Sequence, residues 1–120
     1  MLSADTVATA LEDHIEGIPL PEMMRSCVPE LSNDVPALPF PQGWGLGFHL
    51  VKSDIPGMRS AGTGSWSGLF NTYFWVDRAA GIGGLFMTQV LPFYDAKIVE
   101  AILGFEIAVY AQVGAAAPAA

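Results

Sequence analysis

The chain has 120 residues, of which 52% are hydrophobic and 14% charged, and its formal net charge is −7. One compact domain suits that length, and the composition is too apolar and too weakly charged for a disordered chain. Five Lys plus Arg supply no basic stripe, so neither nucleic acid nor an anionic membrane surface is an expected partner.

The N-terminal M-L-S-A-D-T lacks a positive leader and an apolar run, so it does not read as a signal peptide. No apolar stretch reaches the roughly 20 residues of a membrane span. Cys27 is the only cysteine, which excludes an intrachain disulfide and fits a reducing compartment, so a cytoplasmic location is expected. Ser3 is a suitable N-cap for a helix over 4–15, with Val7, Leu11 and Ile15 forming its apolar stripe and Gly17 stopping it. Residues 18–43 hold Pro19, Pro21, Pro29, Pro36, Pro39 and Pro41. A regular sheet is not expected there; one helical turn over 22–27 fits.

From Trp44 the pattern changes to period two. Trp44, Leu46, Phe48 and Leu50 alternate with smaller or more polar partners, which predicts a first strand to Val51. Pro56-Gly57 turns the chain, 68–77 reads as a second strand, 78–81 as a tight connection, and 82–91 as a third strand ended by Pro92. Asp95 caps a helix over 96–112 that is apolar nearly all round. The expected fold is α+β: a three-stranded antiparallel meander with a C-terminal helix packed on it and a short N-terminal helix. It divides into a helix and Pro-rich loop region (1–43), the strands and last helix (44–113) and a frayed tail (114–120). Three strands leave both sheet edges open and too little chain to cover both faces. The pattern therefore suits a piece of a larger domain, or an oligomer in which open edges self-associate.

A search for catalytic groups is mostly negative. No Ser is followed three residues later by Lys, and no Tyr two later by Asn or Ser. Gly64-Ser65-Trp66-Ser67-Gly68 has the outline of a nucleophile elbow, but Trp66 holds the central place and the motif leads into a strand. His14, His49 and Cys27 do not make a zinc set, and no glycine-rich loop precedes a helix, so neither a metal nor a cofactor is expected. Tyr73, Trp44 and Trp75 read as packing residues, as do Met23, Met24, Met58 and Met87. Lys52 and Lys97 read as solvated, His49 as a strand residue facing solvent or a neighbour, and Glu106 as solvent-facing or paired with Arg59 or Arg78. The segment S-A-G-T-G-S-W-S-G-L at 60–69 has two readings. It is a turn and bulge feeding an aromatic strand, or it is small so that a substrate can lie against the main chain. In the second case an amide donates to an oxyanion and Trp66 forms a pocket wall.

Several stretches carry a family resemblance: W-G-L-G-F-H-L-V, P-G-M-R-S-A-G-T-G-S-W-S-G-L-F-N-T-Y-F-W-V-D, G-I-G-G-L-F-M-T-Q-V-L-P-F and F-E-I-A-V-Y, with M-M-R-S-C-V-P-E-L-S-N-D-V-P ahead of them. Together they resemble the C-terminal part of the serine β-lactamase-related hydrolases, which include class C β-lactamases, penicillin-binding proteins and family VIII carboxylesterases. The resemblance implies the C-terminal part of a β-lactamase/transpeptidase-like fold. It also implies acyl-enzyme hydrolysis of a small ester or lactam by an intact parent. The family's Ser-x-x-Lys and Tyr motifs have no counterpart in this chain, so it contains no catalytic nucleophile and is expected to be inactive alone. The third motif, Lys-Thr-Gly or a substitute, maps in two registers. One is Gly62-Thr63-Gly64, with glycine in place of lysine and the Ser65 amide as oxyanion donor. The other is Trp66-Ser67-Gly68, with the Leu69 amide as donor. The alternatives to such a hydrolase fragment are a non-catalytic module that pairs its open sheet edges with another chain, and a small-ligand carrier built on the aromatic strand.

Overall fold

The computed structural model describes residues 1–116. Helix α1 spans Ala4–Ala10, and the Ser3 hydroxyl accepts from the Thr6 N–H at 3.1 Å, as an N-cap does. It ends five residues before the expected stop because the following residues are engaged elsewhere. The Ala10 carbonyl accepts from Leu46 N at 2.9 Å, His14 N donates to the Trp44 carbonyl at 2.8 Å, and Asp13 accepts from Trp44 N at 3.1 Å.

The proline-rich segment holds a two-stranded antiparallel ribbon, β1 (Met23–Met24) and β2 (Val35–Pro36), where a helical turn and no sheet were expected. Proline is tolerated at such an edge because no ladder N–H is demanded of it. Asp34 closes the ribbon by accepting from Ser26 N at 2.8 Å and Arg25 Nη1 at 2.9 Å. Met23 and Met24 are exposed, as is Met87, so these three are not the packing residues their apolarity suggested.

The main sheet has five strands: β3 (Gln42–Trp44), β4 (His49–Val51), β5 (Gly64–Gly68), β6 (Thr72–Asp77) and β7 (Ile82–Phe86), all antiparallel in sequential order. The expected three-stranded meander is thus corrected to five, because the first predicted strand folds into a hairpin and the second leaves out its outward arm. The first folds at Gly45–Gly47: a Cβ on Gly45 would lie 2.2 Å from the Ala10 carbonyl, and Gly47 has φ +86°. The predicted second strand is the return arm of a hairpin whose outward arm is β5, with Leu69–Asn71 as the loop. Asn71 N donates to the Gly68 carbonyl at 3.0 Å, and Asn71 takes φ 60°. That is a type I turn followed by a left-handed residue, a common three-residue hairpin loop.

Helix α2 (Ala96–Ala116) packs on one face of the sheet. Asp95 caps it by accepting from Lys97 N at 3.0 Å and Ile98 N at 3.1 Å. It runs four residues past its expected end at 112, into the predicted tail, and residues 117–120 of that tail lie outside the described residues. The core is Trp75, Ile102 and Tyr110, joined by Tyr73, Ile82, Phe86 and Val109. Trp75 is the anchor the sequence suggested, whereas Trp44 is only half-buried.

The two sheet edges differ, which corrects the expectation that both lie open. Residues 10–14 of the chain's own N-terminal segment bond along β3. Lys52, expected to be solvated, reaches across to Asp13 at 2.6 Å. That contact and the Trp44 N–H hold the Asp13 carboxyl down at about 2. Among the described residues β7 pairs only with β6. No helix among them is long and apolar enough to cross a membrane.

Candidate functional site

The eight candidate residues at 62–69 fall into two groups. Gly62 takes φ +86° and donates to the Val51 carbonyl at 2.8 Å, while Val51 N donates to the Thr63 carbonyl at 3.1 Å. Two residues thus oppose one, a bulge that opens β5. Gly62 itself faces a shallow depression of about 350 Å3 beside α1, away from the other candidates. Thr63 is 1% exposed and its hydroxyl donates to the Ser60 carbonyl at 2.7 Å. Gly64 lies under Leu11 and Phe48, where a Cβ would stand 2.5 Å from the end of the Leu11 side chain. Ser65 is buried, and its Oγ accepts from Arg59 Nη1 at 2.9 Å. Trp66, Gly68 and Leu69, in contrast, are exposed and Ser67 half-exposed.

The difference follows from strand lengths. β4 ends at His49, opposite Ser65, whereas β5 runs on to Gly68. In an antiparallel ladder, main-chain groups alternate between the two flanks of a strand. The bonds of Val51 to Gly62 and Thr63 fix the phase. Ser65 bonds to His49 on the β4 flank, and Ser67 turns its N–H and C=O to that same flank, past the end of β4. The Leu69 N–H, in the hairpin loop, donates to no described residue.

This free margin opens on a groove of about 460 Å3 bounded by the sheet, α2 and the proline-rich segment. Its walls are apolar, from Leu20, Val35, Leu38, Val99, Ile102 and Leu103, with Trp44 and Trp66 at 4.8 Å in an edge-to-face contact. Its floor is polar. Arg59 grips the Glu106 carboxylate with two bonds, Nε at 2.5 Å and Nη2 at 2.9 Å, and Glu106 is only 1% exposed. Of the two partners the sequence offered for Glu106, the structure selects Arg59. His49 Nε2 lies 2.7 Å from Gln42 Oε1, and burial, then the nearby Arg59 charge, lowers its pKa. The imidazole is therefore neutral at pH 7 and suited to hydrogen bonding.

Two further polar residues escaped the sequence reading. Asn71 is fully buried and uses its whole amide: Nδ2 donates to the Val90 and Pro92 carbonyls, each at 2.9 Å, and Oδ1 accepts from Tyr73 OH at 3.0 Å and Asp95 N at 3.2 Å. It ties the β5–β6 loop to the cap of α2. The visible signal was an Asn standing inside an aromatic run. Tyr73 lines the groove, but its hydroxyl is spent on Asn71, and burial, then Tyr94 and Asp95, pushes its pKa up to about 12. Asp77, 1% exposed, accepts from Ser60 N, Ala80 N and Tyr110 OH at 2.8–2.9 Å. Burial pushes this carboxyl up, but the hydrogen bonds outweigh it and hold it below the usual range.

Over 61% of its length the chain is similar to simvastatin synthase (LovD) of Aspergillus terreus. The LovD9 mutant superposes with a TM-score of 0.60, and the LovD6 mutant and the unliganded selenomethionyl enzyme with 0.59, each at 28% identity. The match shows the β-lactamase-like fold. The chain spans 18–19% of the length of these structures. No protein-family model matches the sequence, and no curated protein does.

Proposed function

We propose that this chain supplies one wall of the acyl pocket of a β-lactamase-related serine hydrolase or acyltransferase, with Trp66-Ser67-Gly68 as its third motif and the Leu69 N–H as one oxyanion donor. The attacking Ser-x-x-Lys and the Tyr motif belong to polypeptide outside these 120 residues, so the chain alone is inert, because nucleophile, base and oxyanion donors act as a unit. The observation that carries the reading is the stretch of β5 beyond the end of β4. There Ser67 offers a free donor and acceptor, the Leu69 N–H is unspent, and Trp66 stands exposed beside them. The alternative register fits less well, since the ladder commits the Ser65 amide to His49 and Thr63 is buried.

The test has two arms. The purified chain should neither hydrolyse p-nitrophenyl butyrate above buffer nor take up a serine-directed phosphonate. Joined to a polypeptide that carries Ser-x-x-Lys on this fold, it should do both. In that enzyme Leu69→Pro removes the amide donor while suiting the first central position of a type I turn, and kcat should fall about 10²–10³-fold. Hydrolysis by the chain alone, or full activity in Leu69→Pro, refutes the assignment.

A further inference from the structure

The Leu69 N–H is aimed by a residue that does not line the groove. It belongs to the peptide unit joining Gly68 to Leu69, and the carbonyl of that unit accepts from Asn71 N at 3.0 Å. This peptide is trans. A trans peptide is planar, so its N–H points opposite to its C=O. The bond from Asn71 therefore turns the Leu69 N–H away from the inside of the loop and fixes its direction. Asn71 is in turn held by its own side chain. It is fully buried, and its amide is bonded at both ends, to the Val90 and Pro92 carbonyls and to Tyr73 OH and Asp95 N. Thr88 adds a second hold. Its hydroxyl lies 2.6 Å from the Phe70 carbonyl and 3.1 Å from the Asn71 carbonyl, and Val90 N donates to the Phe70 carbonyl at 3.3 Å. The side chains of Leu69 and Phe70 are exposed in this chain, so hydrogen bonds rather than packing within the chain fasten the hairpin tip. Apart from those inside the hairpin, these bonds run to residues 88–95, the link between β7 and α2.

We infer that Asn71 and Thr88 are positioning residues for acyl transfer: they fasten the β5–β6 tip to the link before α2 and so hold the Leu69 N–H on the oxyanion. The inference rests on that N–H being an oxyanion donor, as proposed above. Asn71 is too deeply buried to touch a substrate; it acts through the Gly68–Leu69 peptide. A donor stabilises an oxyanion best when it needs no reorganisation at the moment of reaction. Hairpin tips with few buried apolar contacts belong to the low-stability end of a fold. The polar fastening resolves that conflict. Every bond in it lies within this chain, so it is complete whatever polypeptide covers the tip from outside.

Two measurements test this, and the first involves no chemistry. In the chain itself, amide NMR relaxation reads the order of each N–H. The Leu69 amide should be as rigid as that of Trp75, with an order parameter of about 0.85, and Thr88→Val should lower it toward about 0.6. Trp75 and Gly84 should keep theirs in that variant. Thr88→Ser, which retains the hydroxyl, should restore Leu69. Asn71→Gly, in which glycine accepts the φ of 60°, should loosen Leu69 as well; the Thr88 variants carry the test where it fails to fold. The second measurement uses the enzyme joined to the Ser-x-x-Lys polypeptide. There Thr88→Val should lower kcat about tenfold with KM unchanged, short of the roughly 10²–10³-fold loss on deleting the donor, and Thr88→Ser should restore it. Added to Leu69→Pro, Thr88→Val should lower kcat no further, because the amide it aims is gone. Leu69 order unchanged by Thr88→Val, an unchanged kcat in that variant, or a loss that adds in full to that of Leu69→Pro each overturns the inference and leaves the oxyanion assignment standing. Full activity in Leu69→Pro overturns that assignment, and this inference with it.

Discussion

The Arg59–Glu106 pair is the sharpest test of how the groove floor is held. Glu106 is 1% exposed on the sheet-facing side of α2, and its partner's side chain is 16% exposed. Arg59 also holds Ser65 of β5, so one guanidinium links helix, loop and sheet. Arg59→Ala leaves a buried carboxylate with no partner, a change that costs about 3–5 kcal/mol. Against the roughly 5–15 kcal/mol of a small domain that is about a fifth of the total or more. Glu106→Gln keeps an acceptor for Arg59, which still reaches water through the groove, so about 1–2 kcal/mol is expected. The combined Arg59→Met, Glu106→Leu variant removes both charges at similar volume and should regain at least about 2 kcal/mol of the single loss, since such replacements are often neutral. Urea unfolding followed by tryptophan fluorescence reads these differences. With m near 2 kcal/mol/M, Arg59→Ala should move the midpoint down by about 2 M at constant m. A shift below about 0.5 M, or a double variant that loses the sum of the two single losses, would show that the pair is held in solvent rather than in the fold.

Three other outcomes are expected. Asn71→Ala strands the Val90 and Pro92 carbonyls and puts an alanine at φ 60°, so it should lower stability by about 2–4 kcal/mol in the same urea assay. Gly84→Ala drives a methyl into the Trp75 ring; a loss of about 1–3 kcal/mol with a changed near-UV spectrum is expected, and no change would mean the ring has room to move. Asp13, Asp34 and Asp77 all have carboxyl pKa values lowered from 3.8. Their stabilisation is therefore complete above that value and lost as pH falls below it, for Asp13 as pH falls through about 2, so Tm should drop on acidification below 3.8 and Asp13→Asn should flatten the drop.

Much of the fold was legible, and the parts that were not share a cause. Both helix starts could be read because a cap is a local device: Ser3 and Asp95 each bond within three residues of themselves. The antiparallel order followed from short connections. Strand count did not, because hydrophobic alternation continues through a tight hairpin. Trp44, Leu46, Phe48 and Leu50 keep period two across the turn at Gly45–Gly47 and so hide it. The end of α1 was lost for a different reason: Asp13 and His14 leave the helix for partners on β3, a contact about thirty residues away that no local pattern encodes. The site shows the same division. The small segment at 60–69 stood out in composition, but only the length of β4 decides which of its residues are covered.

Under the proposed function, that last dependence links the fold to the chemistry. The bulge at Gly62 and Thr63 sets β5 in register with β4, and the tight turn after Trp44 stops β4 at its His49 end. A longer β4 would pair Ser67 and seal the margin; a shorter one would uncover Ser65 and expose the Arg59–Glu106 pair to water. As built, the covered half of the segment, Thr63 to Ser65, anchors the strand through the Ser60 carbonyl, Arg59 and the β4 ladder. The uncovered half, Trp66 to Leu69, is rigid for that reason and yet keeps the main chain of Ser67 and the Leu69 N–H unspent. A binding edge needs both properties, because donors aimed at a reacting atom act only when they need no reorganisation at the moment of use. Adding two residues to the β3–β4 hairpin, so that β4 extends alongside Ser67, should therefore abolish acyl transfer in the assembled enzyme while leaving the urea midpoint of the chain unchanged or raised. Retained activity in that variant would separate the free margin from the chemistry.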